Sequence, residues 1–180
     1  MSSARTRLFL LMSAVTALTV LAPATATAKT EKPPPAEAHC VVYVFGQAED
    51  GRLTTSQPDC YETKAEAKVA ASGSLQSKNA GLDSFAMAGS TFTLGIHYDG
   101  YNGSGSSITV VGSSCTGGYW NTPSWFDNRT TSSYNGCGRL RHYDKPGKRG
   151  SSTNTYGAGT TDNLAAWMNN RTESVAYYSS

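Results

Sequence analysis

The feature that most constrains this chain is an internal duplication between residues 96 and 178. One copy opens IHYDGYNGSGSS and closes SWFDNRTTS, and the other opens RHYDKPGKRGSS and closes AWMNNRTES. The openings superpose at an offset of 45, which places His97, Tyr98, Asp99, Gly105 and Ser106 on His142, Tyr143, Asp144, Gly150 and Ser151. The closings superpose at 42, with Trp125, Asn128, Arg129, Thr130 and Ser132 on Trp167, Asn170, Arg171, Thr172 and Ser174. Two ordered blocks at nearly one spacing mean a doubled supersecondary unit, each copy needing the other to cover its apolar face.

Each copy carries an aromatic residue, a glycine seven residues later with a tight turn between them, an alternating stretch such as SSITVVG, a long connection and a last strand. Four short antiparallel strands with one long return describe a Greek key, and two of these pair into a sandwich of about 85 residues. Gly105 and Gly150 then fall where a hairpin folding back on the sheet needs backbone angles closed to other residues. Tyr98, Tyr143, Trp125 and Trp167 are expected in the core of so small a sandwich. Composition agrees: 18 Gly and 10 Tyr with only 16% charged residues favour strands and turns over long helices.

Residues 1–28 have the form of a signal peptide, with Arg5 and Arg7 ahead of the apolar run LFLLMSAVTALTVLA and an Ala26-Thr27-Ala28 ending. That run is shorter than the ~20 residues of a spanning helix. Cleavage after Ala28 removes two of the 15 cations and none of the 13 acids, leaving 13 of each. With no polybasic excess, nucleic acid is not an expected partner, nor is membrane insertion after cleavage. Residues 29–38 read as a Pro-rich linker and 39–91 as a small disulfide-containing segment. Within it HCVVYVFG has strand character, and Thr63 with Glu66 has the spacing of a capping box ahead of a short alanine-rich helix ending near Gly73. Residues 74–91 are polar and small, without clear periodicity. The four cysteines suit an oxidising compartment and leave three connectivities open. Cys40–Cys60 with Cys115–Cys137 is favoured, since each pair closes a short loop, worth roughly 3 kcal/mol in the chain-entropy account.

The Tyr-to-Gly hairpins followed by the closing motif N/D-N/D-x-x-S/T-S resemble the βγ-crystallin domain over residues 92–180. The secreted, disulfide-bearing style is similar to the streptomycete metalloproteinase inhibitor family and related actinobacterial secreted proteins. Asp127–Ser132 fits the motif throughout, and Asn169–Ser174 fits except at Glu173. The resemblance implies an all-β fold of two Greek keys and two calcium sites built crosswise between the repeats. Asp127, Asn128, the Arg129 carbonyl and Thr131 would come from one loop, and Asn169, Asn170, the Arg171 carbonyl and Glu173 from the other, with Asp99 and Asp144 completing the shells. Calcium takes six to eight oxygens, so carboxylates, amides, hydroxyls and carbonyls in this pattern suit it. Few formal charges predict affinity on the order of 10⁻⁵ to 10⁻³ M. Glu173, longer than Ser or Thr, either strengthens a site or crosses the loop and fills it.

Catalysis finds no nucleophile elbow, paired-carboxylate spacing, phosphate loop or metal motif, and duplication does not supply the asymmetry a catalytic His97 or His142 would need. The expected function is that of a secreted, monomeric, non-catalytic calcium-binding module. One alternative is inhibition of an extracellular metalloproteinase of the thermolysin class, with Tyr119, Trp120, Pro123 and Trp125 in the Cys115–Cys137 segment as contact anchors. The other is a killer-toxin-like or cell-wall-binding protein attached to a cell-surface component, in which Arg139, Arg141, Lys145, Lys148 and Arg149 form a basic edge. The plainer reading of those cations is that they protect an edge strand from pairing.

Overall fold

The computed structural model describes residues 37–73 and 90–179. The signal-peptide region and most of the Pro-rich linker lie outside them, as do residues 74–89. Among the described residues eleven strands form two sheets. The N-terminal segment contributes β1 (His39–Gln47), β2 (Leu53–Thr55), β3 (Asp59–Tyr61) and α1 (Lys64–Ala71). The first repeat contributes β4 (Phe92–Tyr98), β5 (Ser107–Gly112), β6 (Thr116–Asn121) and β7 (Ser132–Asn135). The second contributes β8 (Arg139–Lys145), β9 (Arg149–Tyr156), β10 (Thr161–Asn163) and β11 (Ser174–Tyr178).

One sheet runs β10-β7-β4-β5-β1-β2, with β3 also paired to β1, and the other runs β6-β11-β8-β9. In each repeat the fourth strand returns beside the first, β7 next to β4 and β11 next to β8. That return defines a Greek key. The third strands are exchanged, β6 lying in the second repeat's sheet and β10 in the first's. Neither repeat completes a sheet without the other, so the duplication is a requirement of the fold.

Strand alternation places the core. Leu94, Ile108 and Val110 from one sheet meet Trp120, Leu140, Val175 and Tyr177 from the other, with Phe126 and Cys137 in the same cluster. Each such burial removes enough apolar surface to be worth roughly 1.5–3 kcal/mol. His97 and His142, on β4 and β8, lie fully buried among them. Tyr143 is buried, and Tyr98 and Trp125 are partly so, but Trp167 is 48% exposed, contrary to its expected place in the core. Its neighbour Met168, the counterpart of Phe126, is the fully buried side chain of that turn.

The described part of the N-terminal disulfide-containing segment is built into the first sheet. β1 pairs in parallel with β5, from His39 on Ser107 to Tyr43 on Val111, and the described residues fall in one compact unit. His39 to Val42 are all buried, because both faces of β1 are covered. Cys40 and Val42 face the sandwich core, while Val41 packs with Tyr61, Ala67, Ala70 and Val111 under α1. The helix starts where the capping box predicts: the Thr63 hydroxyl accepts from the Glu66 N–H, and the Glu66 carboxylate accepts from the Thr63 N–H. The disulfides are Cys40–Cys60, joining β1 to β3, and Cys115–Cys137, bracketing β6 and β7.

Candidate site at the crossed closing loops

The closing loops, 127–132 and 169–174, cross and hold each other by reciprocal backbone bonds. The Asn128 N–H donates to the Thr172 carbonyl and the Asn170 N–H to the Thr130 carbonyl, both at 3.0 Å. The two asparagines adopt left-handed backbone, φ 58° and 56°, which Asn tolerates better than most residues. A second reciprocal pair flanks the crossing, from the Thr122 N–H to the Glu173 carbonyl and from the Leu164 N–H to the Thr131 carbonyl. The loops therefore form one two-fold arrangement, legible in the equal spacing of the motifs.

Its two halves differ in chemistry. In one, Glu173 Oε1 accepts from Asn128 Nδ2 at 3.1 Å, and the Thr122 hydroxyl donates both to Asp127 Oδ1 and to the Glu173 carbonyl. Burial, together with the nearby Glu173 carboxylate, pushes the Asp127 carboxyl above its ordinary range, against the opposing Thr122 hydroxyl. In the other half the Thr131 hydroxyl donates to Asn170 Oδ1 at 3.1 Å. Leu164 stands where the first repeat has Thr122, so the hydroxyl donor has no counterpart. Asn169 Oδ1 is buried with no partner, although its Nδ2 donates to the Tyr101 hydroxyl. The hydroxyls of Thr130 and Thr172 are likewise buried without a partner. Thus three of the six such atoms among the described residues belong to these two loops, and a buried polar atom without a partner calls for a water or an ion.

The remaining motif positions act inward. Arg129 Nη2 donates to Asp99 Oδ2 at 2.6 Å, and Arg171 Nη2 to Asp144 Oδ2 at 3.4 Å. Each arginine also reaches the carbonyl of the tryptophan four residues back, Trp125 or Trp167. Asp99 and Asp144 are thereby paired with guanidinium groups of their own repeats, and Asp144 Oδ1 also accepts from the Ser151 N–H. The last serine of each motif ties the opening hairpin down: Ser132 accepts from the Gly103 N–H and donates to the Gly100 carbonyl, and Ser174 does the same for Lys148 and Lys145. The sequence signal for these ties was present, since each partner pair repeats at the same offsets, yet the motif alone did not separate ligand oxygens from brackets.

Among the described residues no three His, Cys, Asp or Glu side chains gather as a metal cluster, and no helix is long and apolar enough to cross a membrane. A groove of about 640 Å³ between α1 and the outer face of β4 and β5 includes Lys64, Tyr98 and Tyr134. Its described lining contains no carboxylate or imidazole. Of the aromatic anchors expected for a protease contact, Tyr119 and Trp120 are buried in β6. They face opposite sides of their sheet, Trp120 the sandwich core and Tyr119 the outer cluster with Tyr143.

No family model matches the sequence, and no curated protein matches it. Among solved structures, a βγ-crystallin domain from Clostridium beijerinckii is similar at 19% identity, covering 48% of this chain and 99% of that chain, with a TM-score of 0.38. At that level the likeness carries no weight of its own, and the architecture stands on the strand pairing given above.

Proposed function

We propose that this chain is a secreted, non-catalytic calcium-binding module of βγ-crystallin type, with its ions held at the crossed closing loops. The observation that carries the reading is the buried, partnerless Oδ1 of Asn169, within loops already rich in amide, hydroxyl and carboxylate oxygens. The residues suit a hard cation taking neutral and anionic oxygens together. One site would draw on Asp127, Asn128, the Arg129 carbonyl and Glu173, the other on Asn169, Asn170, the Arg171 carbonyl and Thr131. Asp99 and Asp144 serve these sites indirectly, by holding Arg129 and Arg171 away from the oxygens. The first site has two carboxylates and the second none, so the first binds more tightly.

Bound calcium would supply a crosslink between the loops, hence between the repeats, stabilising the folded chain by RT ln(1 + [L]/Kd). The two disulfides accord with an oxidising, extracellular setting. The test is a calorimetric titration of calcium into oxidised, chelator-treated protein, with melting curves alongside. Saturable heat with a raised Tm supports the reading; no heat and no shift would overturn it.

A further inference from the structure

Of the five cations between Arg139 and Arg149, only Arg149 lies on an edge strand, at the start of β9. β8 is an inner strand, paired with β11 on one side and β9 on the other, so Arg139 and Arg141 cannot be edge protection. They alternate with the fully buried Leu140 and His142 and therefore stand on the outer face of the four-stranded sheet. The β8–β9 hairpin folds back over the same face. Its Lys148 ammonium sits 5.1 Å from the centroid of Tyr119, and the Gly147 N–H donates to Asn121 Oδ1 on β6. Arg52, bridged to Tyr119 from the β1–β2 turn, adds a further cation.

These charges rest on aromatic supports and lack acidic partners. Arg139 lies 4.4 Å over the Tyr178 ring and Arg141 5.3 Å over the Tyr143 ring. The ion pairs among the described residues are Arg129–Asp99 and Arg171–Asp144, so no cation of this face is in one. Of the acids close by, Asp50 accepts from the Tyr119 hydroxyl and Asp144 is committed to Arg171. None of these cations is thus held in an ion pair.

The duplication supplies an internal control. The first repeat builds the same hairpin with Gly100, Gly103 and Ser104 where the second has Lys145, Lys148 and Arg149, and with Ile96 where the second has Arg141. The fold forms without these charges, so folding does not explain them. Lys148 is even placed at φ 58°, a left-handed angle that the first repeat gives to Gly103 at 74°.

From this juxtaposition we infer that the outer face of β6-β11-β8-β9 binds an anionic polysaccharide. Guanidinium groups pair well with carboxylates, often in bidentate fashion. Between the cations stand Thr116 and Ser152, in register with Tyr178 and Tyr143; the Ser152 hydroxyl accepts from Arg141 Nε at 2.9 Å and keeps its own proton to donate to a sugar oxygen. Nucleic acid fits less well, because base stacking would need a run of open rings: Tyr119 and Tyr143 are only 6% and 7% exposed and are approached by Lys148 and Arg141, which leaves Tyr156 as a single open platform. An anionic bilayer fits less well too, since Tyr156 is the one large apolar side chain that this face exposes among the described residues.

The test uses the oxidised chain in EDTA, which separates it from any calcium site, with polygalacturonate as the probe and neutral dextran as its control. Polygalacturonate binding that weakens as salt rises is expected, with no retention on dextran. The double variant Lys148→Gly with Arg149→Ser copies the first repeat's own residues, so it should fold with an unchanged or higher Tm. It should bind polygalacturonate about tenfold more weakly, through the loss of two released counterions. Unchanged affinity in that variant, equal binding to dextran, or tighter binding to single-stranded DNA or phosphatidylglycerol vesicles would each overturn the inference.

Discussion

His97 and His142, the same position in the two repeats, meet edge to face in the middle of the core, with ring centroids 5.7 Å apart and planes at 83°. His97 is satisfied on both nitrogens, by Ser133 Oγ at 2.9 Å and the Tyr177 hydroxyl at 3.0 Å, and Trp120 stacks on its ring. His142 has the Thr155 hydroxyl at 3.4 Å from Nε2, while its Nδ1 is buried without a partner. The pair marks the pseudo-two-fold relation of the repeats, and a charge there would be fully buried with no carboxylate to offset it.

An acid sensitivity follows. Burial lowers the His97 pKa to about 3 from an ordinary 6.5, and burial plus the neighbouring ring lowers that of His142 well below its ordinary value. Above pH 6.5 both states are neutral and stability is fully present. As pH falls below 6.5 the unfolded chain takes up protons that the folded chain refuses, so stability declines, and for His97 it goes on declining to about pH 3. Asp127, whose folded pKa is raised, works in the opposite sense and offsets part of this loss. Replacing His97→Gln should lower stability at neutral pH and make its decline shallower by up to about 1.4 kcal/mol per pH unit. Denaturant unfolding at several pH values between 7.5 and 4 measures both, and an unaltered slope would remove His97 from the account.

The two halves of the crossed loops give paired expectations for calcium. Asp127→Asn removes one of the first site's two carboxylates, leaving Glu173, and should weaken binding there by about tenfold, while Thr122 keeps an acceptor. Asn169→Asp adds a carboxylate where an amide oxygen is buried without a partner. It should lower Tm in EDTA and raise it in calcium relative to the parent chain. Calorimetry with melting curves in both conditions reads each change; an Asn169→Asp chain equally destabilised in EDTA and calcium would show that Asn169 faces no ion.

Much of this architecture was legible because it repeats. Offsets of 45 and 42 fixed the doubled unit, and the Thr63–Glu66 spacing fixed the helix start. What the sequence left unread is non-local. Nothing near Cys40 announces a parallel partner at Ile108, and nothing in HYDKPGKRG tells an edge strand from an inner one, since strand order depends on how β11 returns. The site was half legible for a related reason. The motif identified the loops, but the contrast between Thr122 and Leu164, which leaves Asn169 without its hydroxyl, lies outside it. So does the pairing of Asp99 and Asp144 with Arg129 and Arg171.

The opening hairpins owe their shape to an interaction between a glycine and an aspartate, and this can be measured. Gly105 and Gly150 have φ of 74° and 75°, and a methyl group added to either would collide with Oδ1 of Asp99 or Asp144. At Gly150 the displaced carboxylate is the one that accepts from the Ser151 N–H and pairs with Arg171. Gly150→Ala therefore combines left-handed strain of ~1–2 kcal/mol with loss of that carboxylate's contacts, for a total of roughly 2–4 kcal/mol within the usual range of disruptive substitutions. Gly159, at φ 87° with nothing within 4 Å of an added methyl, isolates the strain alone. In denaturant unfolding Gly150→Ala should be the more destabilising of the two and should carry a weaker calcium response, because Arg171 is released beside the second loop. Equal losses at Gly150 and Gly159 would mean that the aspartate contributes nothing to the hairpin.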